Sequence, residues 1–358
     1  MKILVSAFTG RCLVNWLPLA DEIRKKNGRC DFLLFPRVSD PDHRALLRED
    51  IQSFALVTEQ IKEDFSFVRS TEADCAERIR SAVRNQRYEA LLMTTCHVGP
   101  ELKLKNWLKP SSPEIEVIGL QHGFVQPWWY YEELSASFDK IGVFGSAFVD
   151  RFTEPFRSRV IPLSLPSLDP YVGEKGNPLG ATLFALQRDM SVELVDQMAT
   201  ELEIARRRKV IIRPHPEHVS LYDGLRSKFA FSDPAMPVND VLRSVSAVVT
   251  SGSTLALASL SMRIPTVVLD HLGGAEYRPF GIVAEEMSSA SIIQTLQRQE
   301  PESFWNELQA VLVRYTGRAG FRAEDAYNSL RSSIVRKSDA RDSTFSRLRG
   351  WLNRHIAQ

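Results

Sequence analysis

Short apolar runs alternate with amphipathic segments twice over, and this recurrence constrains the fold more than any single motif. Lys2 to Phe8 is an apolar run ending at Thr9-Gly10. An amphipathic stretch follows from about Asn15 to Lys26, and a second run, Cys30 to Phe35, stops at Pro36. Strand, loop, helix and strand in that order is the unit from which parallel sheets are built. The pattern returns with a helix over about Ala73 to Asn85 and strands at Ala90–Thr94, Glu116–Leu120 and Lys140–Gly145. Pro162, Pro166, Pro170, Gly173, Gly176 and Pro178 then crowd into 17 residues, too many breakers for an element interior. Beyond them come strand Ala181–Leu186, helix Ser191–Arg207, strand Lys209–Arg213, a helix around Leu242, strand Ala247–Thr250, helix Thr254–Met262 and strand Pro265–Leu269. Helices are expected to fill the remainder. The expected architecture is α/β: two doubly wound, Rossmann-like domains facing a central cleft. The domains expected are 1–165 and 179–330, with a linker over 166–178 and a basic amphipathic tail over 331–358.

Composition narrows the partners. The chain has 358 residues, 45 Lys+Arg against 44 Asp+Glu, and so a net charge of +1. No global field attracts nucleic acid, and any bound anion must be met by local groups. Cys12, Cys30, Cys75 and Cys96 are widely spaced and read as reduced thiols, neither zinc ligands nor disulfides. No run reaches the roughly 18 apolar residues of a membrane span, so a cytoplasmic protein is expected.

Ligands in doubly wound sheets bind outside the carboxyl ends of the strands, so the residues after each strand carry the search. After Leu120 comes Gln121-His122-Gly123. An imidazole, with an unperturbed pKa of about 6.5, can take a proton from an attacking hydroxyl near neutrality; a turn-capping histidine is the plainer alternative. Pro127-Trp128-Trp129-Tyr130-Tyr131 follows, an aromatic loop suited to stacking on sugars or, equally, to packing on its own domain. After the strand ending at Ile212 comes Arg213-Pro214-His215-Pro216-Glu217-His218. The two prolines stiffen the chain around His215, and Arg213 could grip a phosphate in bidentate fashion or pair with a surface carboxylate. No zinc-site spacing surrounds His215 and His218, and no metal or other cofactor is expected. After Val249 comes Thr250-Ser251-Gly252-Ser253-Thr254, a small hydroxyl-rich turn opening a helix. It would suit a phosphate or simple N-capping, and it is not a lysine-bearing phosphate loop. Gly10 and His97, also beyond strand ends, join Gln121, Trp128 and Trp129 as candidates on the acceptor side.

Four segments in order resemble the GT-B glycosyltransferases that carry a His-Pro motif. That group includes capsule, Kdo and polysialyltransferases and the CDP-glycerol glycerophosphotransferases. The segments are Leu120-Gln121-His122-Gly123; Leu165-Pro166-Ser167-Leu168-Asp169; Arg213-Pro214-His215-Pro216; and Thr250 to Thr254 with Ile264 to Val268. The resemblance implies a GT-B fold and His122 as general base. It also implies His215 and Arg213 on the donor phosphate, with Ser251, Gly252, Ser253 and Thr254 adding hydrogen bonds. The expected activity is sugar transfer from a nucleotide-activated donor, first a CMP-linked Kdo or sialic-acid-like sugar, to an oligo- or polysaccharide of a bacterial surface. Ser164 stands where such chains often have Gly.

The tail from Arg331 to Gln358 carries seven Lys+Arg against two Asp, with Phe345, Leu348, Trp351, Leu352 and Ile356 at helical spacing. It would suit either an anionic inner-membrane surface, with a lipid-linked acceptor, or docking on its own protein. Two enzyme alternatives share the scaffold, a glycerophosphotransferase and a UDP-GlcNAc 2-epimerase-like enzyme. A non-catalytic nucleotide- or carbohydrate-binding module is the alternative of another class.

Overall fold

A computed structural model describes residues 1–7, 15–34, 87–94, 105, 108–110, 112–124, 138–186, 190–233, 236–271 and 273–334. The chain forms two compact units. Unit 1 comprises residues 1–122, 128–167 and 321–358; unit 2 comprises 123–127 and 168–320. Gly10, His97, Trp128, Trp129, Cys12, Cys75, Cys96, the helix expected over 73–85 and most of the tail lie outside the described residues.

Unit 1 is built on one parallel sheet. Its strands are β1 (Lys2–Ala7), β2 (Arg29–Leu34), β3 (Ala90–Met93), β4 (Glu116–Leu120), β5 (Lys140–Val143) and β6 (Val160–Pro162), in the order β2-β1-β3-β4-β5-β6. Every residue of β3 and β4 is buried. Such unbroken apolar runs belong to parallel strands covered on both faces. Helix α1 (Leu17–Lys25) starts with Pro18 in its first turn, where a missing N–H costs nothing, and buries Leu19, Ala20 and Ile23. Cys30 is a free, buried thiol, and burial pushes its pKa far up, so it is chemically inert.

The boundaries differ from the sequence expectation for identifiable reasons. Pro162 ends an edge strand, where its missing N–H has no neighbour to serve, so the breaker-rich stretch begins inside the sheet. Residues 322–334 are helical and return to unit 1. Glu116 is almost wholly buried at the start of β4 and pairs with the Lys140 ammonium at 3.2 Å. Lys140 also donates to the Ser333 carbonyl at 3.1 Å and to its hydroxyl, which fastens this helix to the sheet.

Unit 2 has a second parallel sheet. Its strands are β7 (Ala181–Ala185), β8 (Val210–Arg213), β9 (Ala230–Phe231), β10 (Val245–Thr250), β11 (Thr266–Leu269) and β12 (Val283–Ala284), in the order β12-β11-β10-β7-β8-β9. Helix α2 (Val192–Arg206) is capped by the Ser191 hydroxyl, which accepts the Leu194 N–H, and ends on Arg207 at φ 53. It buries Val195, Met198, Ala199 and Leu202, the spacing of one helical face. They join Phe184, Val210, Ile212, Val249 and Val267 in one core. Helix α3 (Val238–Arg243) precedes β10, and α4 (Leu255–Ser261), small and apolar all round, is buried along most of its length. Helices α5 (Ser289–Gln297) and α6 (Glu302–Thr316) complete the unit. Among the described residues no helix is long and apolar enough to cross a membrane.

Ser164 holds φ 60, a left-handed conformation costing a side-chain-bearing residue about 1–2 kcal/mol. That is the physical reason a glycine suits this position. Ser164→Gly should therefore raise stability by up to about 1 kcal/mol, part of the gain being lost to the freer unfolded chain. Denaturant unfolding at constant m-value would show it, and a loss of stability would contradict the strain.

Candidate functional site

In unit 2 the strand order reverses between β7 and β10, which is where an open parallel sheet leaves a crevice at its carboxyl edge. The turn Ser251-Gly252-Ser253-Thr254 emerges at that point. The Thr250 hydroxyl donates to the Ala185 carbonyl at 2.9 Å, tying the end of β10 to β7. Gly252 holds φ 58, which lets the chain swing sharply into α4. Ser253 serves as a local cap, its hydroxyl accepting the Leu255 N–H at 3.2 Å. Its carbonyl accepts the Tyr277 hydroxyl at 2.6 Å. Burial raises the Tyr277 pKa, so this phenol stays a donor. Thr254 makes no side-chain capping bond.

Ser251 is different. It is fully buried, and its hydroxyl has no hydrogen-bond partner among the described residues. An unsatisfied buried hydroxyl costs about 1–3 kcal/mol, so its persistence at a strand-order reversal calls for a reason other than packing. Capping accounts for Ser253 and leaves Ser251 unexplained.

At the end of β8, Arg213 is engaged with the loop after β9. Its Nη1 donates to the Ser232 hydroxyl at 2.7 Å and to the Asp233 carbonyl at 3.0 Å, and its Nη2 donates to the Met236 carbonyl at 3.0 Å. Both Nη1 protons and one Nη2 proton are occupied. The terminal fork therefore shapes the loop after β9 and is not free to clamp a phosphate through its two end nitrogens. His215 follows the buried Pro214, half-buried itself, with its ring centroid 6.0 Å from that of His218. The His218 N–H donates to the His215 carbonyl at 2.8 Å, closing the turn. His215 and Ser251 thus stand at the carboxyl edge of the same sheet.

One residue beyond β11 and its Asp270 is a histidine that the sequence reading passed over. The Nε2 of His271 is buried and without a hydrogen-bond partner among the described residues. The rule that flagged the other strand ends covers it, since β11 was expected over Pro265–Leu269. The Gly273-Gly274 pair just beyond it is a turn signal of the same kind that drew attention elsewhere.

In unit 1, β1 lies between β2 and β3, so the corresponding reversal among the described strands is at the ends of β1 and β3. Thr94 is there, fully buried, with its N–H donating to the Ser6 carbonyl at 3.1 Å and its Oγ1 unpartnered. At the end of β4, Gln121 is fully buried and its Oε1 accepts the Phe144 N–H at 2.9 Å, while its own N–H donates to the Gly142 carbonyl at 2.8 Å. This glutamine, expected on the acceptor side, instead joins the ends of β4 and β5 and fixes the backbone from which the half-buried His122 projects. Gly123 to Pro127 belong to unit 2. There Phe124 is buried with ring centroids 4.5 Å from Tyr277, 5.6 Å from Phe280 and 5.8 Å from Tyr315. Among the described residues no three His, Cys, Asp or Glu side chains converge as a metal site requires.

Two parallel six-stranded sheets, each wound with helices, define the two-Rossmann-domain GT-B class of fold. No protein-family model matches the chain, and no curated protein sequence does. Solved structures do. A Methanocaldococcus jannaschii UDP-GlcNAc 2-epimerase in complex with UDP-GlcNAc and UDP matches with a TM-score of 0.62 at 10% identity, covering 94% of this chain and 100% of that one. A Neisseria meningitidis UDP-GlcNAc 2-epimerase bound to UDP-GlcNAc matches with a TM-score of 0.61 at 11% identity, covering 93% and 100%. A glycosyltransferase from Rickettsia africae matches with a TM-score of 0.59 at 9% identity, covering 93% and 98%. At such identities the likeness is one of fold.

Proposed function

We propose that this chain is a metal-independent nucleotide-sugar enzyme, a glycosyltransferase that passes a sugar from a nucleotide donor to a hydroxyl of a surface glycan. The single observation that carries the donor side is the orphaned Ser251 hydroxyl at the strand-order reversal of unit 2. A donor phosphate there would accept from Ser251 and from backbone N–H groups of the Gly252 to Thr254 turn, with His215 beside it. Arg213 acts through the loop it shapes. His122 accepts the proton of the acceptor hydroxyl as its oxygen attacks the anomeric carbon, and the bond to the nucleotide breaks with its electron pair leaving on phosphate. A CMP-linked donor is the first candidate, on the resemblance of the His-Pro and His-Gly segments. The acceptor-side roles of Gly10, His97, Trp128 and Trp129 belong to the same proposal, as does peripheral membrane contact by 331–358.

The test joins calorimetry to one substitution. CMP, CDP, UDP and GDP are titrated against the native chain and Ser251→Ala. One nucleotide should raise the melting temperature, as any ligand specific to the folded state does. Ser251→Ala should melt slightly higher than the native chain when free, since it deletes an unsatisfied polar group. It should nevertheless bind that nucleotide about tenfold more weakly. Equal affinity for both proteins, or no nucleotide binding at all, would defeat the assignment.

A second reading is favoured by the fold likeness to 2-epimerases that hold UDP-GlcNAc or UDP. Conversion of UDP-GlcNAc to its C2 epimer by the protein alone, with no acceptor added, would establish it over transfer.

A further inference from the structure

The other end of the unit 2 sheet carries a feature that sugar transfer does not use. A depression of about 620 Å³ lies at the amino-terminal starts of β7 and β8, lined by Leu179 to Ala181 and by Arg206, Arg207, Arg208 and Lys209. The basic run satisfies the carboxyl end of α2, which is the plain reason for cations there. That reason does not account for the shape or the apolar company. Arg206 is held inward by the Thr182 hydroxyl at 2.6 Å and Arg208 leans on the Gly180 carbonyl at 3.4 Å, while Arg207 and Lys209 are exposed. Leu179, on the rim, is 80% exposed, and Ile204, one turn before Arg207 and Arg208, is 72% exposed.

The two nearby acids offset only part of this charge, since Glu201 and Glu203 against Arg206, Arg207, Arg208 and Lys209 leave 4 − 2 = +2. Glu203 accepts the Val210 N–H at 2.8 Å, and Glu201 accepts the Ser289 hydroxyl at 2.5 Å and the Gln197 amide at 3.0 Å. Two extended aliphatic side chains beside four cations match one occupant best. They gain nothing against a phosphodiester backbone or a small anion in water. They gain transfer free energy where anionic headgroups overlie hydrocarbon.

We propose that this face docks unit 2 on an anionic phospholipid surface. Headgroup phosphates meet Arg207, Arg208 and Lys209, and Leu179 and Ile204 enter the acyl boundary. The carboxyl ends of β7, β8 and β10 then point away from the bilayer, so the docked protein keeps its strand-end residues in water. The proposal is independent of the enzymatic reading and survives its failure.

Cosedimentation of the full chain with phosphatidylcholine vesicles, with and without one-third phosphatidylglycerol, tests it. Binding should need the anionic lipid and weaken as added salt shortens the screening length. Arg207→Asn/Lys209→Gln should lower the partition coefficient about tenfold or more, asparagine being chosen because it tolerates the left-handed backbone at that position. Leu179→Ser/Ile204→Ser should lower it severalfold while leaving the salt dependence in place. Four outcomes overturn the proposal: no sedimentation with the anionic vesicles; full binding by both variants, which would move the contact elsewhere, as to the 331–358 tail; stabilisation by inorganic phosphate without vesicle binding; and RNA binding lost in the Arg/Lys variant while vesicles are ignored.

Discussion

His122→Ala should abolish turnover, by a factor of about a hundred to ten thousand, and leave nucleotide binding unchanged. The separation follows from where the residue is. His122 lies two residues beyond the unit 1 strand β4, whereas the proposed phosphate contacts belong to unit 2. A base acts in the transition state and contributes little to ground-state affinity, so kcat should drop with kcat/KM while the nucleotide dissociation constant stays put. The limb of the native pH profile that reports loss of an imidazole proton should vanish with the side chain. His122→Gln keeps size and polarity but cannot accept a proton at neutral pH, and should be as inactive. Native turnover in either variant would remove His122 from the chemistry. If the protein proves to be an epimerase, the same substitution reads out on conversion of the nucleotide sugar alone.

Much of this arrangement was legible in the chain, because parallel strands buried on both faces are written as unbroken apolar runs. The strands from Lys2, Cys30, Ala90, Glu116, Lys140, Ala181, Val210, Ala247 and Thr266 announce themselves that way, and the pattern of alternation carries the two-sheet fold. Edge strands do not. β6 is three residues ending in proline, and β9 and β12 are two residues each, too short to hold any period. The domain return at Phe321 depends on Lys140 meeting Ser333, 193 residues apart. Side-chain roles were legible only as chemistry. Arg213 is visibly a cation, but its acceptors lie 19 to 23 residues later in the chain, on a loop whose path no local rule gives. Gln121 shows the same limit. Beside a histidine it reads as a contact for substrate, whereas its amide oxygen is occupied with the Phe144 N–H. Thr94 and His271 look like ordinary strand-end residues until burial shows that each carries a polar atom with nothing to bind.

Phe124→Ala should cost about 3–5 kcal/mol of unit 2 stability, the usual range for a phenylalanine removed from a closed aromatic cluster. Among the described residues Tyr277, Phe280 and Tyr315 line the hole. Phe280 and Tyr315 also pack on each other at 5.0 Å, so the cluster cannot easily collapse into the space. For a unit of this size the loss lowers the melting temperature by roughly 10 °C. Phe124→Leu, which refills much of the volume, should recover most of it. The substitution also reaches the turn proposed to hold the donor phosphate. Tyr277 packs on Phe124 with the ring planes tilted by 34° and donates to the Ser253 carbonyl with its hydroxyl, so a loosened ring loosens the turn that holds Ser251. Tyr277→Phe separates the two effects: the ring and its packing remain, the hydrogen bond goes, and nucleotide affinity should fall with a stability loss of only about 1 kcal/mol. Hydrogen exchange over residues 273–316 would follow the packing, and nucleotide titration would follow the turn. Phe124→Ala melting with the native protein would show that the cluster does not anchor this segment. Tyr277→Phe binding nucleotide at native strength would show that the turn holds its shape without the phenol.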